Sequence, residues 1–388
     1  MEERESLIYI DRRNTDCYKW DGLEAQFGDA DLLPLWVADM DFQCPAAVRQ
    51  AVSAWAAHGV FGYYKTPDRY FDAFLRWERE EHGFTVERDW VRFSPGIVSA
   101  LYWAVQLLTE PGDAVTVLTP VYYPFLNAVK DNARIVSACP LKNEGGIYSI
   151  DFEGLERLLD ENGSRLLIFS SPHNPVGRVW TREELVRLCR ICEERDVVIL
   201  SDEIHQDLIL GDKPHIPTAS LGIGRVITCC SASKTFNIAG LKNSFIILPD
   251  DELRASFDAY VKRIDVLDGP SVGYVAATAA FEGGKPWLRS LLEQVRENYQ
   301  AACGELLDAL PGAVISPLEG TYLMWVDLRD CLDPEKTKEI IQDACGLAVD
   351  YGEWFGGDAW KGFIRLNLAT SMDNVMLAVR RITAALTD

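Results

Sequence analysis

The sequence predicts an α/β protein: a mostly parallel sheet covered by helices on both faces, followed by a smaller α+β lobe. Two observations carry this. From residue 91 onward, short apolar runs alternate with helical spacings, and apolar strands alternating with helices imply a doubly covered parallel sheet. Polar residues also fall repeatedly just after those runs, where ligands bind in such sheets. From about residue 281 the order changes to helical stretches followed by two apolar strands, which reads as a second lobe.

The first 44 residues read as an arm or partial domain. Leu33-Pro34-Leu35-Trp36-Val37-Ala38-Asp39-Met40-Asp41-Phe42 is apolar with embedded acids, and no simple period fits it. Residues 45–280 form the expected large domain and 281–388 the small one. Pro45 to His58 has helical spacing, with Val48, Val52 and Trp55 on one face. Gly59-Val60-Phe61-Gly62-Tyr63-Tyr64 is a glycine-punctuated aromatic turn before the helical stretch Tyr70–His82. The flanking glycines leave Tyr63 or Tyr64 open to a ligand or neighbouring subunit, but aromatic clusters usually mean core packing, and core is the expectation from the residues alone.

The strand–turn–helix repeat begins with Val91-Arg92-Phe93, then Ser94-Pro95-Gly96-Ile97-Val98-Ser99, then a helix over Ala100–Leu108. A glycine turn opening a helix offers free N–H groups and a positive dipole end, a ready anion site. The strand Ala114–Leu118 leads to Tyr122. Leu166–Phe169 leads to Asn174 and, after a helix over Arg182–Glu194, Val197–Leu200 leads to Asp202. The run Arg225–Cys230 leads to Lys234, and Ser244–Leu248 follows. The fold thus brings Tyr122, Asn174, Asp202 and Lys234 to one edge of the sheet. In the second lobe, a helix over Trp287–Leu310 precedes strands at 321–327 and 362–369, and Arg365 lies among apolar neighbours. Such an arginine needs an anionic partner, which is either a structural ion pair or a substrate carboxylate.

Around Lys234 the sequence reads Ser231-Ala232-Ser233-Lys234-Thr235, with Lys242 eight residues on. A lysine at the end of a buried strand is costly unless it has a partner or does chemistry. Burial lowers its pKa toward the range of a nucleophile or base, and a Schiff base removes the charge altogether. A surface lysine in a Ser/Thr loop is the commoner meaning of an isolated S-x-x-K, and serine acyl-transfer enzymes share it. Their S-D-N and K-T-G partners do not occur in this chain.

Composition narrows the classes. The chain has 388 residues, 48% of them apolar and 25% charged, and a net charge of -21. That charge argues against non-specific binding to nucleic acid or anionic membrane. No apolar run is long enough to span a bilayer. The charged start, Met1-Glu2-Glu3-Arg4-Glu5, lacks the core of a signal peptide, so the expected compartment is the cytoplasm. Ten cysteines show no framework spacing, and Cys189 and Cys192 fall inside a helical pattern. The histidines show no metal-ligand pattern, and no metal is expected.

Asn174-Pro175-Val176-Gly177, Asp202-Glu203-Ile204-His205 and Ser231-Ala232-Ser233-Lys234, in this order, resemble the fold-type I pyridoxal-phosphate enzymes of the class I/II aminotransferase superfamily. The resemblance runs from Trp36 to Arg365. Within the superfamily it is similar to the MalY/PatB-type cystathionine β-lyases, through Trp36–Phe42, Ser94–Val98, Asp202–His205 and Phe363-Ile364-Arg365-Leu366-Asn367. Many transaminases carry tyrosine where this chain has His205, and the carbon–sulfur lyase subgroup carries histidine.

The resemblance implies the aspartate aminotransferase-like fold of pyridoxal-phosphate-dependent transferases, pyridoxal 5′-phosphate as cofactor, and a homodimer with shared active sites. Lys234 would bind the cofactor covalently and later move the α-proton. Asp202 would pair with the pyridine nitrogen, Asn174 with the phenolic oxygen, and Tyr122 would stack on the ring, near His205. Ser231, Ser233, Lys242 and the N–H groups of Ile97 and Val98 would hold the phosphate, with Tyr63 or Tyr64 reaching it from the partner subunit. Arg365 would take the substrate carboxylate, with Trp36 and Asn174 beside it. The implied reaction is β-elimination of L-cystathionine, cysteine or another cysteine S-conjugate to thiol, pyruvate and ammonia. Alternatives are a transaminase, which would use the same lysine and aspartate, and a lyase with an added regulatory protein-binding role.

Overall fold

Seven strands make the central sheet: β1 (Val91–Ser94), β2 (Ala114–Thr119), β3 (Ile135–Pro140), β4 (Leu166–Ser170), β5 (Val198–Asp202), β6 (Val226–Cys230) and β7 (Ser244–Ile247). Their spatial order is β1-β7-β6-β5-β4-β2-β3. The structure is a computed structural model and describes residues 4–387; the first three residues of the N-terminal arm and the last of the chain lie outside the described residues. Four of the six strand pairings are parallel, and β7 runs against both its neighbours. The strands β4, β5 and β6 are buried along their whole length, as near-continuous Val/Ile/Leu/Phe runs require when helices cover both faces. One face carries a cluster with Leu101, Val105, Phe125, Leu126 and Phe257, and another cluster gathers Leu155, Leu159, Leu185 and Leu188.

The expected elements lie close to the observed ones. Helices run over Ala46–His58, Asp68–His82 and Ile97–Leu108, the last three residues earlier than the apolar spacing suggested. Pro95-Gly96 ends the preceding strand, and Gly96 is the helix N-cap. The helix Arg182–Glu193 opens with a capping box. Thr181 accepts from the backbone N–H of Glu184, and the Glu184 carboxylate accepts from the Thr181 N–H. Cys189 and Cys192 are buried on this helix, and both are free thiols.

A four-stranded antiparallel sheet holds the later segment: β8 (Val314–Ile315), β9 (Leu323–Asp327), β10 (Asp350–Tyr351) and β11 (Phe363–Asn367), in the order β8-β9-β11-β10. The long helix Lys285–Ala309 packs against the helix Met372–Thr387 beside it. Leu33–Pro34 pairs in parallel with Leu347–Ala348 in a separate two-stranded sheet, and the Asn367 N–H of β11 donates to Leu35 O at 2.8 Å, which ties the N-terminal segment to the four-stranded sheet.

Beyond Leu35 the segment shows no period, and four of its carbonyls are satisfied by side chains. Asn367 Nδ2 donates to the carbonyls of Val37 and Asp39, and Asn237 Nδ2 to those of Met40 and Phe42. Buried backbone groups must be paired somewhere, and for these four carbonyls the partners are asparagine side chains. The segment therefore runs between the two sheets.

Candidate active site

The ends of β4, β5 and β6 are level, with Ser170 opposite Asp202 and Asp202 opposite Cys229. Beyond them lies a cavity of about 570 Å³ lined by Tyr122, Asn174, Asp202, His205 and Lys234, together with Ile97, Val98, Ser233 and Lys242. The polar residues that follow separate strands in the sequence thus converge.

Lys234 sits in the one-turn helix Ala232–Thr235 that follows β6. Its Nζ donates to the Ala38 carbonyl at 2.6 Å, and Tyr322 Oη donates to the same carbonyl at 2.8 Å. Burial lowers the lysine's pKa, and Arg365 and Lys242 add to this, whereas Asp39 and Asp202 oppose it. The amine is thus biased toward the neutral, nucleophilic form.

Asp202 accepts one backbone hydrogen bond, from Ile204 at 3.1 Å. Burial pushes its pKa up to about 7, against that bond and the Lys234 charge. Among the described residues no cation forms an ion pair with this carboxyl. Burial also holds the His205 imidazole neutral, with its pKa lowered to about 3, aided by the Lys234 and Arg365 charges. Its ring meets Tyr322 edge-on at 5.9 Å. Desolvation raises the Tyr122 phenol far above its ordinary range, so it stays protonated.

One end of the cavity suits an anion. It holds the start of the helix Ile97–Leu108, Ser233, Lys242 and Asn243. Lys242 is held in the left-handed region at φ 52°, a conformation costing of order 1 kcal/mol or more and characteristic of functional sites. The Asn243 Oδ1 accepts from Tyr70 Oη at 3.0 Å, while its Nδ2 is buried with no partner among the described residues.

Four expected residues, Ser231, Trp36, Tyr63 and Arg365, are not among those lining the cavity, although Arg365 is bonded to Asn174, which is. Ser231 Oγ donates to the Asn243 carbonyl at 2.7 Å and accepts from the Ser233 N–H at 3.0 Å, so it caps the helix carrying Lys234 and does not line the cavity. The Trp36 indole points away: its Nε1 donates to the Lys19 carbonyl at 3.0 Å, and its ring packs on Tyr18 and Phe27. Only its carbonyl meets Arg365. Tyr63 is fully exposed on an apolar turn with Val60 and Phe61, outside the cavity of its own chain, and Tyr64 is exposed as well.

Arg365, on β11, is 1% exposed. Its Nη1 donates to Asn174 Oδ1 at 2.8 Å, and its Nη2 to the Trp36 carbonyl at 3.1 Å and to Asp350 Oδ2. The sequence reading missed Asn243, Tyr322, Asp350 and the Ala38 carbonyl. The apolar frame of Arg365 signalled that an acid must face it, but nothing local pointed to Asp350.

Comparison with known proteins identifies the family and the fold. The model of the family "Aminotransferase class I and II" matches residues 30–382. The chain is 39% identical to cystathionine β-lyase PatB of Bacillus subtilis, over 97% of this chain and 98% of that one. Its fold superposes on cystalysin of Treponema denticola, whose crystal structure contains pyridoxal 5′-phosphate, with a TM-score of 0.94 and 33% identity over 99% of both chains. A pyridoxal-phosphate-bound C-S lyase of Staphylococcus hominis superposes with a TM-score of 0.92 and 32% identity over 98% and 97%.

Proposed function

Because the chain belongs to the class I and II aminotransferase family, we propose that it is a pyridoxal-phosphate-dependent carbon–sulfur β-lyase acting on L-cystathionine or related cysteine S-conjugates. The observation that carries this reading is the convergence of a pKa-lowered lysine, a buried uncompensated carboxyl and an anion-binding end in one cavity. The cavity residues fit the cofactor. The unpartnered Asn243 Nδ2, Ser233, Lys242 and the N–H groups of Ile97 and Val98 suit its phosphate, and Ser231 supports them as the helix cap. Asp202 suits its pyridinium, Asn174 its phenolic oxygen, and Tyr122 and His205 the ring's surroundings.

The cofactor, when bound, supplies an electron sink for charge developing at the substrate α-carbon. Arg365 fixes the substrate carboxylate, with Asn174 and the Trp36 carbonyl aligning the guanidinium. The Lys234 amine takes the α-proton, and burial, which lowers its pKa, favours the free base this step needs. The Ala38 carbonyl and Tyr322 orient that amine when it is free. Once the α-proton is removed, a thiolate leaves from Cβ. A thiol of pKa about 8.5 is a fair leaving group, so strong acid assistance is unnecessary. Protonated Tyr122 or the Lys234 ammonium supplies a proton where one is needed. The products are a thiol (homocysteine from cystathionine) and an aminoacrylate, which after release takes up water to give pyruvate and ammonia.

The large domain over 45–280 and the small domain over 281–388, completed by part of 1–44, would meet around this cavity. A homodimer accounts for the exposed apolar turn at Val60, Phe61 and Tyr63, with Tyr63 or Tyr64 reaching the partner's phosphate site. Ten free cysteines fit a reducing, cytoplasmic setting.

The test is to incubate the cofactor-loaded protein with L-cystathionine and no keto acid, following pyruvate and free thiol together. Sustained release of both is expected. Turnover that requires an added keto acid and yields amino transfer would replace the lyase reading with a transaminase.

A further inference from the structure

Arg365 meets the site with most of its donors already committed. A guanidinium has five N–H groups. Both on Nη2 are in use, one to the Trp36 carbonyl and one to Asp350, and one on Nη1 goes to Asn174. The buried Nε–H has no partner among the described residues. A carboxylate pairs with a guanidinium bidentately through the Nη1/Nη2 edge or the Nε/Nη2 edge, and each edge includes Nη2. An arriving carboxylate therefore cannot form a two-pronged pair until one of the present Nη2 partners withdraws.

The Trp36 carbonyl cannot easily do so. It belongs to a backbone segment pinned on either side, where the Asn367 N–H donates to Leu35 O at 2.8 Å and Asn367 Nδ2 to Val37 O at 2.6 Å. Asp350 is a side chain on β10, directly across the ladder from Arg365. Among the described residues only its Oδ2 is bonded, and Oδ1 is buried without a partner. Its grip is one-pronged and releasable, and it offers the chemical group that a substrate would bring.

We propose that Asp350 is a positioning residue that stands in for the substrate carboxylate on Arg365, so that binding is an exchange of one carboxylate for another and Asp350 sets the affinity. This rests on the reading of Arg365 as the substrate-carboxylate site. A lone buried guanidinium is costly, and Asp350 compensates it before substrate arrives. Without that charge the cost remains in the ligand-free enzyme and is relieved by the ligand.

The experiment uses cofactor-loaded enzyme and L-alanine, which has the α-amino and α-carboxylate groups but no β-leaving group. Affinity is measured by calorimetry and by the thermal upshift the ligand produces. Asp350→Asn is expected to melt lower than wild type without ligand, bind L-alanine on the order of tenfold more tightly, and show the larger upshift. Its KM for cystathionine falls while kcat does not rise, as a change in ground-state binding requires. Asp350→Ser, with the same expectation, replaces it if the Asn variant does not fold. Equal or weaker alanine binding by the folded variant would overturn the exchange and make Asp350 only an aiming group. Arg365→Gln separates the two readings: undiminished alanine binding there removes Arg365 itself from the carboxylate site, whereas lost binding leaves only the role of Asp350 in question.

Discussion

Lys234 combines three properties that are seldom found together: an amine at a strand end, a lowered pKa and a single backbone acceptor, Ala38 O, in the ligand-free chain. If this amine moves the α-proton, Lys234→Ala should lower kcat for pyruvate release by about 10³-fold, within the range for removal of a positioned general base. The folded variant should still bind the cofactor through its anion-binding end. Activity within tenfold of wild type would assign the proton transfer to another group. This residue, with Tyr122, Asn174 and Asp202, could be located from sequence because each follows a strand of a parallel sheet, where topology alone determines what converges. Asp350, Tyr322 and Asn243 could not. Each is placed by pairing between distant segments: Asp350 lies on a two-residue strand, and Tyr322 meets a carbonyl 284 positions away. Trp36 misled for a related reason, since the segment bearing it contributes carbonyls to the site while its indole packs into the core.

At the scale of elements, the strongly periodic ones were legible and those made by long-range partners were not. The edge strand Ile135–Pro140 ends in proline, which cannot donate to a ladder, and its outward residues are exposed, so no apolar run announces it. The helix Tyr123–Asp131 was hidden behind Pro124, which is tolerated only because it sits in the first turn. The strands Leu33–Pro34 and Asp350–Tyr351 are two residues each and owe their existence to Leu347–Ala348 and β11. The helix Arg182–Glu193 is the opposite case, with its start fixed by Thr181 and Glu184. Thr181→Ala should lower unfolding free energy by about 1 kcal/mol, read as a lower urea midpoint at unchanged slope. Because Thr181 does not line the cavity, kcat should be unaffected. A midpoint equal to wild type would mean that the Arg178–Glu184 ion pair suffices to hold the helix start.

At the scale of the whole molecule, one buried polar network ties three distant segments together behind the cavity. Asp207, five residues beyond Asp202, accepts from Trp77 Nε1 and pairs with His82 Nε2, both at 2.8 Å, and accepts from Thr235 Oγ1 at 2.7 Å, next to Lys234. Glu78 accepts from Gln206 at 2.6 Å, and Glu203 pairs with His215 at 2.9 Å. Burial alone would lower the His82 pKa. The hydrogen bond to Asp207 and the charges of Glu78, Asp207 and Glu203 outweigh it and raise the value from 6.5 to about 9. Burial raises Glu78 from 4.5 to about 7. Both groups hold protons more tightly folded than unfolded, so the stability each adds is complete below its unfolded pKa and is lost as pH rises through its folded one. Glu78 thus loses its contribution between pH 4.5 and 7, and His82 between 6.5 and 9. Asp207, whose pKa is held below 3.8 by His82, Thr235 and Trp77 against its burial, loses its own contribution only in acid. Unfolding free energy measured by denaturant should therefore fall between pH 6.5 and 9, by on the order of 2–3 kcal/mol for His82. His82→Gln should be less stable than wild type at pH 6.5 and should lack most of that decline. A decline of the same size in the variant would place the titration on another group, and the network would then join these segments without making their union depend on pH.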